Sequence, residues 1–171
     1  MRGRGGAILI SILVIIAVGT SVLAFTQYRA HQQLQDRVMA GQEATKAAKS
    51  AITSMVTYDY RTVDEDFEWV NKAGTKGFKE YFTEASAKSK KLIVELQATA
   101  TGSVIDAAPK PGTTKKVQVL LFVDQLIKSK DDPKGKLDQT RVAMWMVKQD
   151  GRWLVSKVLL RDRPTIGSLP Q

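Results

Sequence analysis

The hydrophobic residues of the chain are concentrated at its start. Residues 7–25 read AILISILVIIAVGTSVLAF, a run of 19 positions without charge. A helix of that length measures roughly 28 Å, close to the roughly 30 Å hydrocarbon core of a bilayer. The run therefore predicts one transmembrane helix, preceded by a cytoplasmic segment at 1–6. The predicted anchor residues are Ala7, Ile8, Leu9, Leu13, Ile15, Ile16, Val22, Leu23 and Phe25.

A cleavable signal peptide is the alternative interpretation of this run. Arg2 and Arg4 precede it, and Val22-Leu23-Ala24 would permit cleavage after Ala24. The run is longer than the usual apolar core of a signal peptide, about 7–15 residues, and a helical pattern continues beyond it. Both features favour retention in the inner (plasma) membrane. The arginines favour a cytoplasmic N-terminus, so we expect the bulk of the chain to be extracytoplasmic.

Residues 26–57 predict a continuation of the same helix. Its least polar positions are spaced alternately four and three, the period of a helix packed lengthwise on a partner. Small residues in the middle of this seam permit close approach of another element. We expect the first half to form a stalk and the second half to belong to a domain core. The seam consists of Leu34, Val38, Gly41, Thr45, Ala48, Ile52 and Met55.

Two further helices are predicted between residues 62 and 92. Thr62 and Glu65 have the spacing of a capping box, which would start a helix at 63–73 that Gly74 ends. A third helix is predicted at 76–92. Its predicted buried stripe consists of Phe78, Phe82, Ala85 and Leu92.

From residue 96 onward the apolar period changes from 3.6 to 2, which indicates strands. They are predicted at 96–104, 117–123, 142–147 and 152–160, and the second, apolar on both faces, should be central in the sheet. The dipeptide Asp150-Gly151 favours a two-residue type I′ turn. That turn pairs Gln149 with Arg152, Lys148 with Trp153, Val147 with Leu154 and Met146 with Val155.

These elements predict an α+β extracytoplasmic domain at 58–160, followed by a C-terminal tail at 161–171. Its helices would pack on one side of a curved, four-strand antiparallel sheet to give a cone-like domain.

Composition narrows the range of functions. The chain has no cysteine and one histidine, His31, so disulfides, thiolate catalysis and multi-histidine metal sites are excluded, and we expect no metal and no cofactor. Motifs for nucleotides, zinc proteases and hydrolase nucleophiles are also missing. The net charge of +9 comes from 26 basic and 17 acidic residues that are interspersed. That distribution argues against a nucleic-acid partner and favours contact with anionic headgroups.

Two carboxylates are the remaining candidates for acid–base chemistry. Asp124 follows the central strand, and Asp59 stands between two tyrosines. A carboxyl group buried in an apolar cavity would have a raised pKa and could transfer protons. Strand-end and turn positions favour structural roles instead, so we predict that the protein is not an enzyme.

Four segments resemble the Mce-associated membrane proteins of mycobacteria and related actinobacteria. They read YDYRTVDEDF at 58–67, ATATGSV at 98–104, VDQ at 123–125 and DGRWLVS at 150–156. The resemblance implies a domain similar to nuclear transport factor 2. It also implies a non-catalytic accessory or scaffold subunit that contacts the transporter subunits of an Mce-type complex importing lipids such as fatty acids or sterols.

Two alternatives belong to other classes. One is a VirB8-like assembly component of a secretion or conjugation apparatus, and the other is an isomerase or dehydratase built on the same cone. Aromatic side chains would contact a partner or line a lipid-sized pocket, although core packing is the default for apolar residues at such spacings. These residues are Tyr58, Tyr60, Phe67, Phe82, Phe122, Trp145 and Trp153.

Overall fold

The computed structural model describes the backbone of residues 4–161, and the side chains from Phe25 to residue 160 except at positions 26 and 30. The chain forms two compact units, Met1–Val38 and Met39–Gln171. Helix α1, Arg4–Val56, contributes residues to both. The predicted anchor at 7–25 lies outside the described side chains, with the exception of Phe25. Within the described part of the chain, no helix is long and apolar enough to cross a membrane.

Within the second unit, α1 presents a face of small residues to the core. Ala44, Ala48 and Ile52 are fully buried, whereas Leu34 and Val38, earlier in the predicted seam, are more than half exposed. Burial along α1 therefore starts at Ala40, and the exposed Leu34 and Val38 lie in the half of the segment that was expected to form a stalk.

The predicted single helix at 63–73 is wrong, because two short helices occupy this segment. These are α2, Val63–Asp66, and α3, Trp69–Ala73. The predicted capping box is also wrong, since Thr62 makes no side-chain cap. Its hydroxyl donates to Asp66 Oδ2 at 3.0 Å, and the amide of Asp59 donates to the same oxygen at 2.8 Å. Asp66 thus engages the Thr62 hydroxyl that the capping box would have required as an acceptor.

Helix α4 spans Lys76–Glu95, three residues longer than predicted, and Thr75 caps its start by accepting from the amide of Phe78. Its buried residues are Phe78, Phe82, Ser86 and Ile93. The predicted Ala85 and Leu92 are instead exposed, because the buried row after Phe82 continues at Ser86 and Ile93, four and then seven residues further along the helix.

The sheet has five antiparallel strands, not four, in the order of the chain. The additional strand is too short to leave an apolar period, and it pairs with residues 99 and 100. The apolar strand predicted at 117–123 lies in the central strand of the sheet, as expected. Bulges after Val104 and Trp145 curve the sheet. The strands are β1 (Tyr58–Asp59), β2 (Thr99–Pro109), β3 (Lys116–Lys128), β4 (Lys136–Gln149) and β5 (Arg152–Arg161).

The turn between β4 and β5 confirms the hairpin prediction. Asp150 and Gly151 have φ values of 49° and 76°, and all four predicted residue pairs are present. Both central residues of a type I′ turn require a positive φ, which glycine adopts without strain.

The core lies between the helices and one face of the sheet, called here the inner face. Leu121 of β3, Met144 of β4 and Val155 of β5 are fully buried, and they pack in one cluster with Ile52 of α1 and Phe82 of α4. Because side chains alternate along a strand, the residues between them point to the opposite, outer face.

The closest approach of α1 to β2 depends on Gly102. A Cβ at this position would overlap the side chain of Val56. We expect Gly102→Ala to lower the free energy of unfolding by about 1–3 kcal/mol, since the helix end must move. Gly77→Ala is the matched control, because a Cβ there meets nothing within 4 Å, and it should raise stability by about 0.4–1 kcal/mol. Urea denaturation of both variants measures the difference; equal effects would contradict the packing described.

Candidate functional site

The outer face of the sheet carries an exposed apolar patch, which we call the outer patch. It consists of Ile105, Leu120, Phe122 and Leu159, which are 62%, 37%, 49% and 40% exposed. Ala143 pairs with both leucines, one on each neighbouring strand, and is nearly buried. The register brings Leu120, Phe122 and Leu159 together across β3, β4 and β5, and the bulge of β2 places Ile105 beside Phe122.

An open groove of about 360 Å³ adjoins the outer patch. Ile105 and Phe122 give it apolar walls, and Asp106, Asp124 and Arg141 supply charges of both signs. Asp106 and Arg141 are the cross-strand neighbours of Phe122. An apolar centre with a charged rim is typical of a protein-contact surface.

The structure distributes the seven predicted aromatic residues over three places. Phe122 and Trp145 lie on the outer face. Phe82 and Trp153 belong to the main core. Tyr58 and Tyr60 pack on a second, smaller cluster around Val63 and Ile93, and Phe67 contacts both clusters. Among the described residues the seven therefore line no common pocket.

Two aromatic residues outside these seven, Trp69 and the Phe78 predicted in the buried stripe of α4, join the aromatic part of the core. The Trp69 and Phe82 rings meet edge to face with centroids 5.2 Å apart, and Phe78 lies 5.9 Å from Phe82. The spacing of four between Phe78 and Phe82 was the available signal. Trp69 lies on a helix too short for periodicity to reveal.

Trp153 also anchors the β4–β5 hairpin to α1. Its indole Nε1 donates to Glu43 Oε2 at 3.0 Å, and Lys148 Nζ donates to the same oxygen at 2.7 Å. The hydrogen bond from Lys148, and after it the one from Trp153, holds the pKa of the Glu43 carboxyl group below its ordinary value. Glu43 was not singled out from the sequence, because its partners lie more than one hundred residues away.

Neither candidate carboxylate has the environment that an isomerase-like reaction would require. Asp59 accepts hydrogen bonds from the side chain and the backbone of Arg61, which lower the pKa of its carboxyl group to about 2. A proton-transferring acid needs the opposite shift. Asp124 lies in the open outer groove, where its Oδ1 accepts from Gln139 Nε2 at 3.2 Å.

A curled antiparallel sheet with helices packed on one face also occurs in solved domains of type IV secretion proteins. An IcmL-like type IV secretion system protein from Legionella pneumophila matches with a TM-score of 0.57 at 12% identity, over 71% of this chain and 91% of that chain. The periplasmic domain of DotI matches at 0.58 and 9% identity, over 70% and 93%. At these identities the likeness establishes the fold.

The chain belongs to the family described as "Uncharacterized protein Rv1363c/MT1408-like", whose model matches residues 6–160. Rv1362c of Mycobacterium tuberculosis is 30% identical over 157 residues, which are 88% of this chain and 68% of that protein. The outer membrane protein Rv1973 of the same organism is 28% identical over 129 residues, 72% of this chain and 78% of that protein. The mycobacterial resemblance is thus confirmed at the level of this family, and the Mce association stays a prediction.

Neighbouring residues of β3 test the assignment of the two faces. Leu121 is 1% exposed and points into the core, whereas Phe122 lies on the outer patch. Leu121→Ala should lower the free energy of unfolding by about 2–5 kcal/mol, because it leaves a cavity. Phe122→Ala should lower it by less than about 1 kcal/mol. Denaturation curves of the two variants check this order, and a larger loss for Phe122→Ala would contradict the assignment.

The ion pair between Asp59 and Arg61 predicts a pH-dependent stability difference. Because folding lowers the pKa of Asp59 from 3.8 to about 2, the ionised carboxylate stabilises the folded state, and this contribution is lost as the pH falls through that interval. The difference in stability between wild type and Asp59→Asn should be constant above about pH 5 and should shrink progressively as the pH falls from there to below about 2. Urea denaturation at stepped pH measures it, with Asp131→Asn as a control of equal charge change. A difference independent of pH would refute the prediction.

Proposed function

We propose that the protein is a non-catalytic scaffold subunit of a multiprotein assembly in the cell envelope, with the outer patch as its partner-binding surface. The observation that carries this proposal is the exposed apolar groove on the outer face of a sheet whose inner face is already filled by helices. A domain that folds without using this surface leaves it available for a partner.

The sequence supports a membrane-anchored topology for this scaffold. The uncharged run at 7–25 would hold the chain in the plasma membrane, with the arginines at positions 2 and 4 on the cytoplasmic side and the α+β domain outside. The similar solved domain of DotI is described as periplasmic, in keeping with this orientation.

Two kinds of assembly are consistent with a scaffold of this fold. Similarity to type IV secretion proteins supports a VirB8-like assembly component and favours it over the other candidate. The second candidate is an accessory subunit of an Mce-type lipid importer, supported by the resemblance of segments such as YDYRTVDEDF at 58–67. Direct lipid binding by the domain has less support, because the aromatic side chains are divided between the core and the outer face.

Site-specific crosslinking of the full chain in its native membranes tests the proposal. A photo-reactive amino acid at position 122 should crosslink to a subunit of an envelope assembly, which mass spectrometry then identifies. Tyr81, on α4 and 66% exposed, provides the matched control position. Crosslinks from position 122 and none from position 81 would support the outer patch as the partner surface.

The identity of the crosslinked protein decides between the two assemblies. Secretion or conjugation subunits would support the first candidate, and Mce transporter subunits would support the second. Equal crosslinking from both positions, or no crosslink from position 122, would overturn the scaffold role of the outer patch.

A further inference from the structure

One end of the second unit carries an excess of positive charge. We call it the basic end; it comprises the β2–β3 loop and the β4–β5 hairpin. Its basic residues are Lys110, Lys115, Lys116, Lys148 and Arg152, all exposed except the half-buried Lys148.

Backbone pairing fixes the two segments of the basic end beside each other. Lys116 pairs with Val147 across β3 and β4, and the amide of Lys148 donates to the carbonyl of Lys115 at 2.8 Å. Arg152 follows the tight hairpin turn, opposite Gln149. The lysines of the loop and the cations of the hairpin therefore form one surface.

Little acidic charge opposes these cations. Glu43 is paired with Lys148 at 2.7 Å, and Asp150 lies at the hairpin turn. Within the described part of the chain, Lys110, Lys115, Lys116 and Arg152 make no ion pair. The opposite end of the unit differs, because the lysines of its β3–β4 loop, residues 129–135, alternate with Asp131 and Asp132.

The basic end is also the end at which α1 enters the second unit. Glu43 binds the hairpin, and a Cβ on Gly41 would lie 3.4 Å from Pro109 at the end of β2. Residues 26–38 separate the predicted anchor from this unit. Thirteen residues can span at most about 45 Å in any conformation, which limits the length of the tether between the predicted anchor and this unit.

We propose that the basic end binds the anionic headgroups of the membrane in which the chain is anchored. This inference rests on the anchoring stated under the proposed function. Each lysine or arginine close to an anionic surface favours contact by roughly fivefold, and a tether replaces a bimolecular encounter with an intramolecular one. Several cations that each contribute weakly therefore suffice for binding, and no shaped pocket is required.

The surface chemistry favours lipid over an acidic protein or a nucleic acid. Trp153, the aromatic residue of the hairpin, is 9% exposed and engaged with Glu43. The described side chains at this end thus offer charge without the exposed aromatic anchors that protein and single-strand interfaces use.

The absence of cysteine from the sequence permits a direct test. A single cysteine introduced as Thr114→Cys, in the loop of the basic end, receives a fluorophore, and Ser129→Cys at the opposite end serves as the control. The full-length chain is reconstituted into phosphatidylcholine vesicles with or without phosphatidylglycerol, each containing a headgroup-linked quencher. We expect stronger quenching at position 114 when phosphatidylglycerol is present, and no such increase at position 129.

Charge reversal provides a matched comparison. Lys110→Glu combined with Lys115→Glu and Lys116→Glu should weaken the contact by at least roughly a hundredfold and abolish the additional quenching. The same change at Lys128, Lys130 and Lys134 alters net charge equally and should leave the quenching intact.

Molar salt should also suppress the additional quenching at position 114, because the Debye length falls to about 3 Å. Lysine-to-glutamine changes at the basic end provide a second variant that removes the charge without reversing it. Thermal unfolding of each variant checks that it is folded.

The outcomes separate the two proposals. Flotation of the reconstituted vesicles in a density gradient tests the anchor separately. A chain that does not float with neutral vesicles would overturn the anchor and, with it, this inference. A chain that floats but shows equal quenching at position 114 in both membranes, or quenching insensitive to charge reversal at the basic end, would overturn lipid binding alone. An acidic protein as the true partner would give this second result.

Discussion

The architecture depends on the close packing of the small-residue face of α1 against the inner face of the sheet. Ala44, Ala48 and Ile52 are fully buried there, and Gly102 gives the end of the helix room to approach β2. Larger side chains at these positions would separate the two layers and open voids in a core that packs at near-crystalline density. Because this layer closes the inner face, any surface for partners has to lie elsewhere.

Strand alternation then gives β3 two separate faces. Leu121 and Met144 stabilise the fold, while Phe122, one residue along β3, contributes to the outer patch. A substitution on the outer face should therefore have little effect on folding, whereas a substitution on the inner face should have a large one. This separation allows a structural family to keep its fold while its contact surfaces diverge.

Local signals in the sequence predicted local structure well. The Asp150-Gly151 turn and its register followed from the φ requirements of two residues. The capping box failed because Asp66, one turn further, competes for Thr62. Strand β1 was missed because two residues carry no period, and their extended conformation depends on β2. The outer patch and the Glu43 contact require long-range pairing, which the pattern of a single sequence does not encode.

The hydrogen bond between Glu43 and Trp153 joins residues 110 positions apart. During synthesis α1 emerges long before β5, so its alanine face has no native sheet to cover it until nearly the whole chain is available. Contacts of such large sequence separation slow folding, because loop closure has to precede them. If the domain is delivered across a membrane from its N-terminus, its interior cannot close until the last hairpin arrives. Chaperones of that compartment would meet an exposed helix face before they meet a folded domain.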